Sequence, residues 1–226
     1  MESNQPVHGV KPPVDLHTLR RDYIGRGLDR HDLDPDPFAQ FSKWMGEALA
    51  AGQPEPNAMV LATIAPDGGP MQRVVLLKNY DEKGFVFFTN YESAKAAQIA
   101  ASPCVSLHFF WEPIARQISI RGSVEKISTA ESLAYFHRRP RGSQLGAWAS
   151  PQSQPIESRE TLETKLAQVE ERFHDSEIPL PPFWGGYRVV PVSFEYWQGG
   201  GDRLHDRFVF SRESSTHPWT ITRLAP

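Results

Sequence analysis

The segment Arg203-Leu204-His205-Asp206-Arg207 alternates basic side chains with an aliphatic residue and an acid, directly after a run of three glycines. Alternation predicts that Arg203, His205 and Arg207 share one side of an extended segment. Two guanidinium groups and a titratable imidazole on one edge suit an anionic or phosphorylated aromatic ligand. The same pattern is also typical of an exposed strand edge that basic residues protect from aggregation. Taken alone, the segment leaves both interpretations open.

Two further stretches carry cations beside predicted strands. Residues 72–78 form a strand-like run with Arg73 near one end and Lys78 at the other. Simple alternation puts these two cations on opposite faces, and two surface side chains are the structural alternative. Residues 89–95 combine a strand end, hydroxyl groups and the first turn of a helix that contains Lys95. Helix N-termini attract anions, so this stretch is a candidate phosphate site.

A third stretch pairs a phenol with a guanidinium. Tyr135 and Arg139 are four residues apart, hence on one helical face, and Ser143 follows in the predicted loop. Phenol, guanidinium and hydroxyl together make a candidate phosphate cradle. A basic helix C-terminus that complements its own dipole is the alternative.

Composition limits what the chain can bind. Its 226 residues include 24 basic and 27 acidic side chains, a net charge of −3. The chain as a whole therefore has no attraction for nucleic acid or an anionic membrane, and any anion must be bound by a local cluster. The single cysteine, Cys104, lies in an apolar run and is expected to be buried. Scattered histidines predict no metal site, and the lack of a membrane span or signal-peptide core predicts a cytoplasmic protein.

The elements that must position these residues are mostly short strands. Apolar runs at 58–64, 71–80 and 85–89, separated by turn sequences, predict an antiparallel meander, and later strands are predicted at 105–111, 116–127, 187–197, 207–211 and 219–223. Helices are predicted after residue 37, over 93–101, from 128 to Pro140, and over 158–173. The pattern predicts a mainly β protein with flanking helices (α+β), built on a small β-barrel. Residues 1–19 are expected to form a flexible arm.

In order, these stretches resemble the pyridoxine 5′-phosphate oxidase family, FMN enzymes that make pyridoxal 5′-phosphate. The segments that carry the resemblance are 72–78, 135–141, 143–148, 183–186, 197–200 and 203–208. The resemblance implies a single FMN-binding domain over 20–226, an antiparallel split β-barrel that forms a homodimer with two FMN sites across the subunit interface. It also implies oxidation of pyridoxine 5′-phosphate and pyridoxamine 5′-phosphate, with hydride transfer from C4′ to FMN and reoxidation by O₂ to give H₂O₂.

The resemblance implies a role for each matching position. Arg203 and His205 are implied as the catalytic pair at the reacting end of the substrate. The implied substrate-binding residues are Arg20, Arg21, Asp22, Tyr23, Lys78, Tyr135, Arg139, Ser143, Arg203, Leu204 and His205. The implied FMN-binding residues are Arg73, Val74, Val75, Leu76, Leu77, Lys78, Phe88, Thr89, Lys95, Gln117, Gln152, Ser153, Trp197 and Arg207. No metal, nucleic acid or membrane partner is implied.

One position departs from the family pattern, and two alternative functions stay open. Family members commonly have Ser-Arg-Lys where this chain has Ser93-Ala94-Lys95, so we expect FMN to bind more weakly than in a typical member. A related FMN oxidase of reduced phenazine precursors would not need the residue 135, 139 and 143 cradle. A non-catalytic flavin-binding or pyridoxal-phosphate-binding protein would not need the pair at 203 and 205.

Overall fold

The computed structural model describes residues 16, 17, 19, 22, 23, 27–214 and 216–226. The helices in this part of the chain are α1 Pro37–Ala50, α2 Ala94–Ala101, α3 Thr129–Arg138, α4 Arg141–Ala149 and α5 Arg159–Arg172. The strands are β1 Ala58–Ile64, β2 Pro70–Leu76, β3 Asn79–Asp81, β4 Gly84–Asn90, β5 Cys104–Trp111, β6 Arg116–Lys126, β7 Trp184–Gln198, β8 Asp206–Ser211 and β9 Thr220–Leu224. None of these helices combines the length and apolarity needed to cross a membrane. Most of the expected N-terminal arm lies outside the described residues.

The strands form one antiparallel sheet that curls into a split barrel. Hydrogen bonding runs in the order β2-β1-β5-β6-β7-β4-β3, while β8 pairs with β7 and carries β9 on its other side. The connection between β2 and β3 closes the barrel, because the Leu77 N–H donates to the Asn57 carbonyl (2.8 Å) and the Lys78 N–H to the Val86 carbonyl (2.9 Å). The predicted mainly β fold with flanking helices is thereby confirmed.

Helix α1 packs its apolar face against the hydrophobic core of the barrel. The Asp36 side chain accepts a hydrogen bond from the Phe38 N–H (3.0 Å), which caps the helix at its predicted start. Phe41 is fully buried, and its ring lies 4.9 Å from that of Phe85 and 5.2 Å from that of Phe109. Buried aromatic rings contribute strongly to hydrophobic stabilisation. The strands that carry the site therefore pack on a buried aromatic core.

A second hydrophobic cluster lies outside the barrel, under α3, α4 and α5. Its buried members are Phe136, Leu145, Phe173, Ile178 and Trp184. Helix α3 begins with the predicted capping box, in which the Ser128 hydroxyl accepts from the Glu131 N–H (3.1 Å) and the Glu131 carboxylate accepts from the Ser128 N–H (3.1 Å). Leu166 and Val169 of α5 pack against this cluster.

The predicted meander is wrong in two respects. The run 71–80 is not one strand, because β2 ends at Leu76 and β3 starts at Asn79. The predicted antiparallel pairs β1–β2 and β3–β4 are present, but β2 and β3 lie at opposite ends of the strand order, so the three runs are not adjacent strands of one meander. The cause is barrel closure, since the chain leaves one end of the strand order at Leu77 and enters the other end at Asn79. Because Lys78 lies outside β2, simple strand alternation no longer places Arg73 and Lys78 on opposite faces.

Three local expectations are corrected as well. Ser143 lies in α4 and not in a loop, because Pro140 ends α3 yet precedes a new helix. Cys104 is exposed, since the inward positions of β5 alternate from Val105. Residues 203–207 are not continuously extended: Gly201–Arg203 is a 3₁₀ turn and β8 begins only at Asp206. A Cβ at Gly200 would lie 2.3 Å from the Leu204 carbonyl oxygen, which shows how closely the chain doubles back there.

Candidate functional site

A cavity of about 470 Å³ opens between the barrel and the helical layer, and we call it the α3 cavity. It is bounded by β2, the end of β4, the first turn of α2, helices α3 and α4, and the first residue of β7. Its lining residues are Val74, Val75, Leu76, Lys78, Phe88, Thr89, Asn90, Lys95, Tyr135, Arg139, Ser143, Gly146, Ala147, Ser150, Gln152 and Trp184. Four expected substrate-binding residues and eight expected FMN-binding residues (Lys78 belongs to both sets) are therefore brought together in one place.

Helices α3 and α4 supply the cradle at one end of this cavity. Tyr135 and Arg139 come from the last turn of α3 and its C-cap, and Ser143 comes from the first turn of α4. The Tyr135 ring stacks on Phe88 with ring centroids 3.9 Å apart. Burial raises the pKa of the Tyr135 phenol, although the nearby Arg139 charge opposes that shift. The phenol therefore stays protonated and able to donate a hydrogen bond at neutral pH.

Arg139 is a half-buried cation that no acid among the described residues neutralises. Its guanidinium lies 4.7 Å from the centre of the Trp184 ring, and its Nη1 is buried without a hydrogen-bond partner. No carboxylate among the described residues pairs with it. Burial lowers the Arg139 pKa, yet guanidinium groups stay charged in proteins. A buried donor left unsatisfied is costly, so this arrangement fits an anion that supplies the missing acceptor.

The first turn of α2 supplies a second cation. Lys95 Nζ donates to Thr89 Oγ1 (3.1 Å), Gln152 Oε1 (2.9 Å) and Ser93 Oγ (3.3 Å), all of which are neutral acceptors. Burial lowers the Lys95 pKa, and the positive charge of Arg73 lowers it further. Two neighbouring cations at a helix N-terminus, with no acid among the described residues to neutralise them, make an anion site.

Arg73 supports this anion site from outside the cavity lining. Its guanidinium donates to Gln98 Oε1 (2.9 Å), Thr63 Oγ1 and the Leu61 carbonyl (3.1 Å). Burial lowers its pKa. Because its acceptors are also neutral, Arg73 adds a full positive charge behind Lys95.

A second group of expected residues lies around the turn at 199–205, which we call the histidine turn. Tyr23, Trp197 and His205 form an aromatic cluster, with the Trp197 and His205 ring centroids 4.6 Å apart. The His205 Nδ1 accepts a hydrogen bond from the Gly200 N–H (3.1 Å), which leaves Nε2 as the protonated nitrogen of the neutral ring. Gly199 is required here, because a Cβ would lie 2.7 Å from the Tyr23 ring.

Arg203 projects from the histidine turn without a partner among the described residues. Its φ of 63°, next to a φ of 51° at Asp202, places two consecutive non-glycine residues in the left-handed region. Such conformations cost free energy and are enriched at active sites and ligand-binding turns. A cavity of about 580 Å³ is lined there by Leu19, Asp22, Tyr23, Gly200, Asp202, Arg203 and His205.

The remaining expected residues lie in other places. Gln117, Trp197 and Arg207 are register neighbours across β6, β7 and β8, and the Arg207 guanidinium pairs with Glu195 (2.8 Å). Leu77 is buried in the barrel core, Ser153 is exposed, and Leu204 is 72% exposed. Arg20 and Arg21 lie outside the described residues. No cluster of three potential metal-binding side chains occurs in the described part of the chain.

The sequence interpretation missed several residues of the α3 cavity. Trp184 is the main one, and Asn90, Gly146, Ala147 and Ser150 also line the cavity. Trp184 belongs to the Phe-Trp-Gly-Gly segment that helped to carry the resemblance, but it received no role. The sequence feature that could have identified Trp184 is its position between a proline-rich segment and two glycines. Glycine at 186 allows close packing, because a Cβ there would lie 2.9 Å from the Phe88 ring.

Within one chain, the residues of the α3 cavity and those of the histidine turn form two separate groups. The α3 cavity and the cavity at the histidine turn have no lining residue in common among the residues that the structure describes. One group offers uncompensated cations, and the other offers an imidazole and an exposed guanidinium.

Family models match most of the chain. The model described as pyridoxamine 5′-phosphate oxidase matches residues 45–173, and the model described as pyridoxine 5′-phosphate oxidase C-terminal dimerisation region matches residues 184–226. The second match supports a homodimer.

Full-length relatives agree with these matches. A pyridoxine/pyridoxamine 5′-phosphate oxidase of Crocosphaera subtropica is 56% identical over 214 residues, which cover 94% of this chain and all of the relative. One of Teredinibacter turnerae is 54% identical over 213 residues, with the same coverage.

Solved structures agree with the fold. PhzG from Burkholderia lata, solved with tetrahydrophenazine-1-carboxylic acid, is similar with a TM-score of 0.83 at 28% identity, covering 89% of this chain and 99% of that one. An FMN-binding protein of Nostoc punctiforme, related to pyridoxamine 5′-phosphate oxidase, has a TM-score of 0.66 at 19% identity, covers 86% of this chain and all of that one, and shows the shared fold alone. The chain thus belongs to the pyridoxamine 5′-phosphate oxidase family, whose split barrel it has.

Proposed function

We propose that this protein is an FMN-dependent oxidase that converts pyridoxine 5′-phosphate and pyridoxamine 5′-phosphate to pyridoxal 5′-phosphate. The observation that carries the proposal is the α3 cavity, where Lys78, Lys95 and Arg139 have no carboxylate partner among the described residues. Full-length relatives above 50% identity that are named for this activity support it. FMN held in this cavity would supply the acceptor for the hydride equivalent from substrate C4′, with O₂ as the final oxidant and H₂O₂ as its product.

Two anions need to be held, one on the cofactor and one on the substrate. We assign the FMN phosphate to Lys95 with Arg73 behind it, at the N-terminus of α2, where Thr89 and Gln152 supply hydrogen-bonding groups. The buried Nη1 of Arg139, which lacks an acceptor, supports a phosphate at the other end of the cavity.

The substrate phosphate is assigned to the cradle of Lys78, Tyr135, Arg139 and Ser143. This phosphate does not react, so its binding energy orients C4′ and lowers the entropic cost of reaction. The alcohol substrate loses a hydride from C4′ and a proton from its hydroxyl. The amine substrate passes through an imine, which water cleaves to the aldehyde and ammonia.

The reacting end of the substrate is assigned to Arg203 and His205 of the partner subunit's histidine turn. Among the residues that the structure describes, the two cavities share no lining residue, and this favours a site shared by two chains. Arg203 supplies a permanent positive charge for the ring substituents. His205, with Nδ1 held by the Gly200 N–H, presents its Nε2 to the substrate. Because Nε2 carries the ring proton in this tautomer, we assign it a hydrogen bond to the reacting oxygen or nitrogen of the substrate, and the hydroxyl proton is released to water.

Aerobic turnover tests the proposal. FMN-reconstituted protein is given pyridoxine 5′-phosphate, and the aldehyde and H₂O₂ are followed together, with unphosphorylated pyridoxine as the control. We expect equal yields of both products and a much lower kcat/KM for the control substrate. Flavin binding without either product would contradict the proposal. It would favour an oxidase of reduced phenazine precursors, in line with the PhzG similarity, or a binding protein without turnover.

A further inference from the structure

Trp184 contacts both cradle residues that α3 and its C-cap provide, Tyr135 and Arg139. Its ring is nearly parallel to those of Phe88 (5.3 Å, 11°) and Tyr135 (6.2 Å, 6°), and it meets Phe136 edge-on (5.3 Å, 67°). The Arg139 guanidinium lies 4.7 Å above its centre. Trp184 is only 7% exposed and is held by strand pairing between β7 and β4.

The way in which Arg139 is held decides what it can bind. A carboxylate partner would fix a guanidinium firmly, but it would cancel the charge and occupy two N–H donors. An aromatic face attracts the same cation and occupies none of those donors. Among the described residues Arg139 has an aromatic face and no acid, and its Nη1 is still without an acceptor.

We propose that Trp184 is a positioning residue for the phosphate cradle, which holds the Arg139 guanidinium against its indole face while leaving the charge and the donors available to the ligand. The inference rests on the proposed function, which it deepens by naming what fixes the geometry of the substrate phosphate site. The same indole continues the stack of Phe88 and Tyr135, so one side chain sets the spacing between the phenol and the guanidinium.

Ligand binding without turnover tests this role. The probe is 4-deoxypyridoxine 5′-phosphate, which keeps the ring and the phosphate but has no oxidisable alcohol, titrated into the FMN holoenzyme. We expect Trp184→Leu to raise the probe Kd about tenfold, the equivalent of about 1.4 kcal/mol. Trp184→Phe retains an aromatic face and should recover most of that loss. In turnover, Trp184→Leu should raise KM and leave kcat within about twofold.

A matched control comes from Trp148, which packs against the same hydrophobic cluster as Trp184. The Arg172 guanidinium lies 5.2 Å from the Trp148 ring centre, but Arg172 is not part of the α3 cavity. Trp148→Leu therefore loses a similar contact and should leave the probe Kd within about twofold. An equal rise in Kd for both leucine variants would overturn the proposal.

A double-mutant cycle separates positioning from direct contact. If Trp184 acts through Arg139, then Trp184→Leu should have almost no further effect on the probe Kd in an Arg139→Gln background. An undiminished effect in that background would overturn the inference. The cycle measures probe binding and does not depend on turnover. A failed turnover experiment would therefore contradict the proposed function, whereas only the binding cycle would contradict the role of Trp184.

Discussion

At the scale of single residues, the candidate site is marked by cations that have no acidic partner in the described part of the chain. Lys95, Arg73 and Arg139 are each bound by neutral groups or by an aromatic face. Several other arginines are paired with acids, for example Arg188 with Asp81 and Arg207 with Glu195. The difference indicates that the cavity is arranged to receive negative charge, because burying uncompensated charge without a ligand is unfavourable.

The lowered Lys95 pKa predicts a pH dependence of FMN binding. In the protein without FMN, burial and Arg73 disfavour the charged amine, so Lys95 loses its proton below the usual value of 10.5. A bound phosphate favours the charged form, so FMN affinity should fall as pH rises towards the usual lysine pKa of 10.5. Flavin fluorescence measures the Kd. Lys95→Arg stays charged and should show a much flatter profile; identical profiles would contradict the assignment.

Ala94 predicts weaker FMN binding than in a typical family member. It is exposed at the first position of α2, next to Lys95, so an arginine there meets no buried neighbour. Ala94→Arg should tighten FMN binding by about 1 kcal/mol, less than a buried charged hydrogen bond because the position is exposed. Equal dissociation constants for the parent and the variant would reject the idea.

Arg203 is predicted to act at the reacting end of the substrate and not in flavin binding. Arg203→Leu should leave the FMN Kd unchanged and lower kcat/KM by at least about a hundredfold, because a charged contact in the transition state is lost. Stopped-flow flavin reduction checks the step concerned. Normal turnover of this variant would remove Arg203 from the mechanism.

At the scale of elements, helix ends bring the polar groups together. The last turn of α3, the first turn of α4 and the first turn of α2 each deliver one polar group or more into the α3 cavity. Between α3 and α4, Pro140 ends one helix and precedes the next, which places Ser143 within reach of the same cavity as Tyr135. The position of these polar groups also depends on the stability of the N-terminus of α3.

The capping box of α3 should therefore contribute to stability. Ser128→Ala removes the acceptor for the Glu131 N–H and should lower the free energy of unfolding by about 1 kcal/mol. Urea unfolding measures the change. Glu131→Gln keeps the capping geometry and should cost less than about 0.5 kcal/mol. A larger loss for Glu131→Gln than for Ser128→Ala would show that the box is not the source of the effect.

At the scale of the whole molecule, the outer face of the sheet is the expected subunit interface. Val74 is 66% exposed and Phe110 is 47% exposed on this face. Phe110 is in register with Gln117, which neighbours Trp197 of the matched C-terminal dimerisation region. Exposed apolar side chains continuous with such a region are typical of an interface.

A charge on this face should separate the subunits. Phe110→Glu is expected to shift the protein towards monomer in sedimentation equilibrium, with loss of turnover, because two histidine turns can no longer reach two α3 cavities. Leu49→Glu is the matched control, since Leu49 is 59% exposed at the end of α1, away from the sheet face. A Phe110→Glu variant that stays dimeric would place the interface elsewhere.

The sequence by itself determined the local structure and the chemistry of the site. Helix caps at Asp36 and Ser128 follow from short-range rules, which depend only on neighbouring residues. The resemblance selected eleven residues that line one cavity. Such residues are recognisable because their types and order are distinctive even where their neighbours in space are unknown.

Only the tertiary structure decided how the strands pair and which residues meet. Barrel closure splits the run 71–80 at Leu77 and Lys78, an effect of long-range pairing that no local pattern encodes. Trp184 lies at the cavity because it packs among side chains that are distant in sequence. Arg139 keeps an unpaired N–H donor because no acid among the described residues lies beside it. The separation of the two cavities within one chain likewise follows from topology, because strand order and not sequence order sets which surfaces face each other.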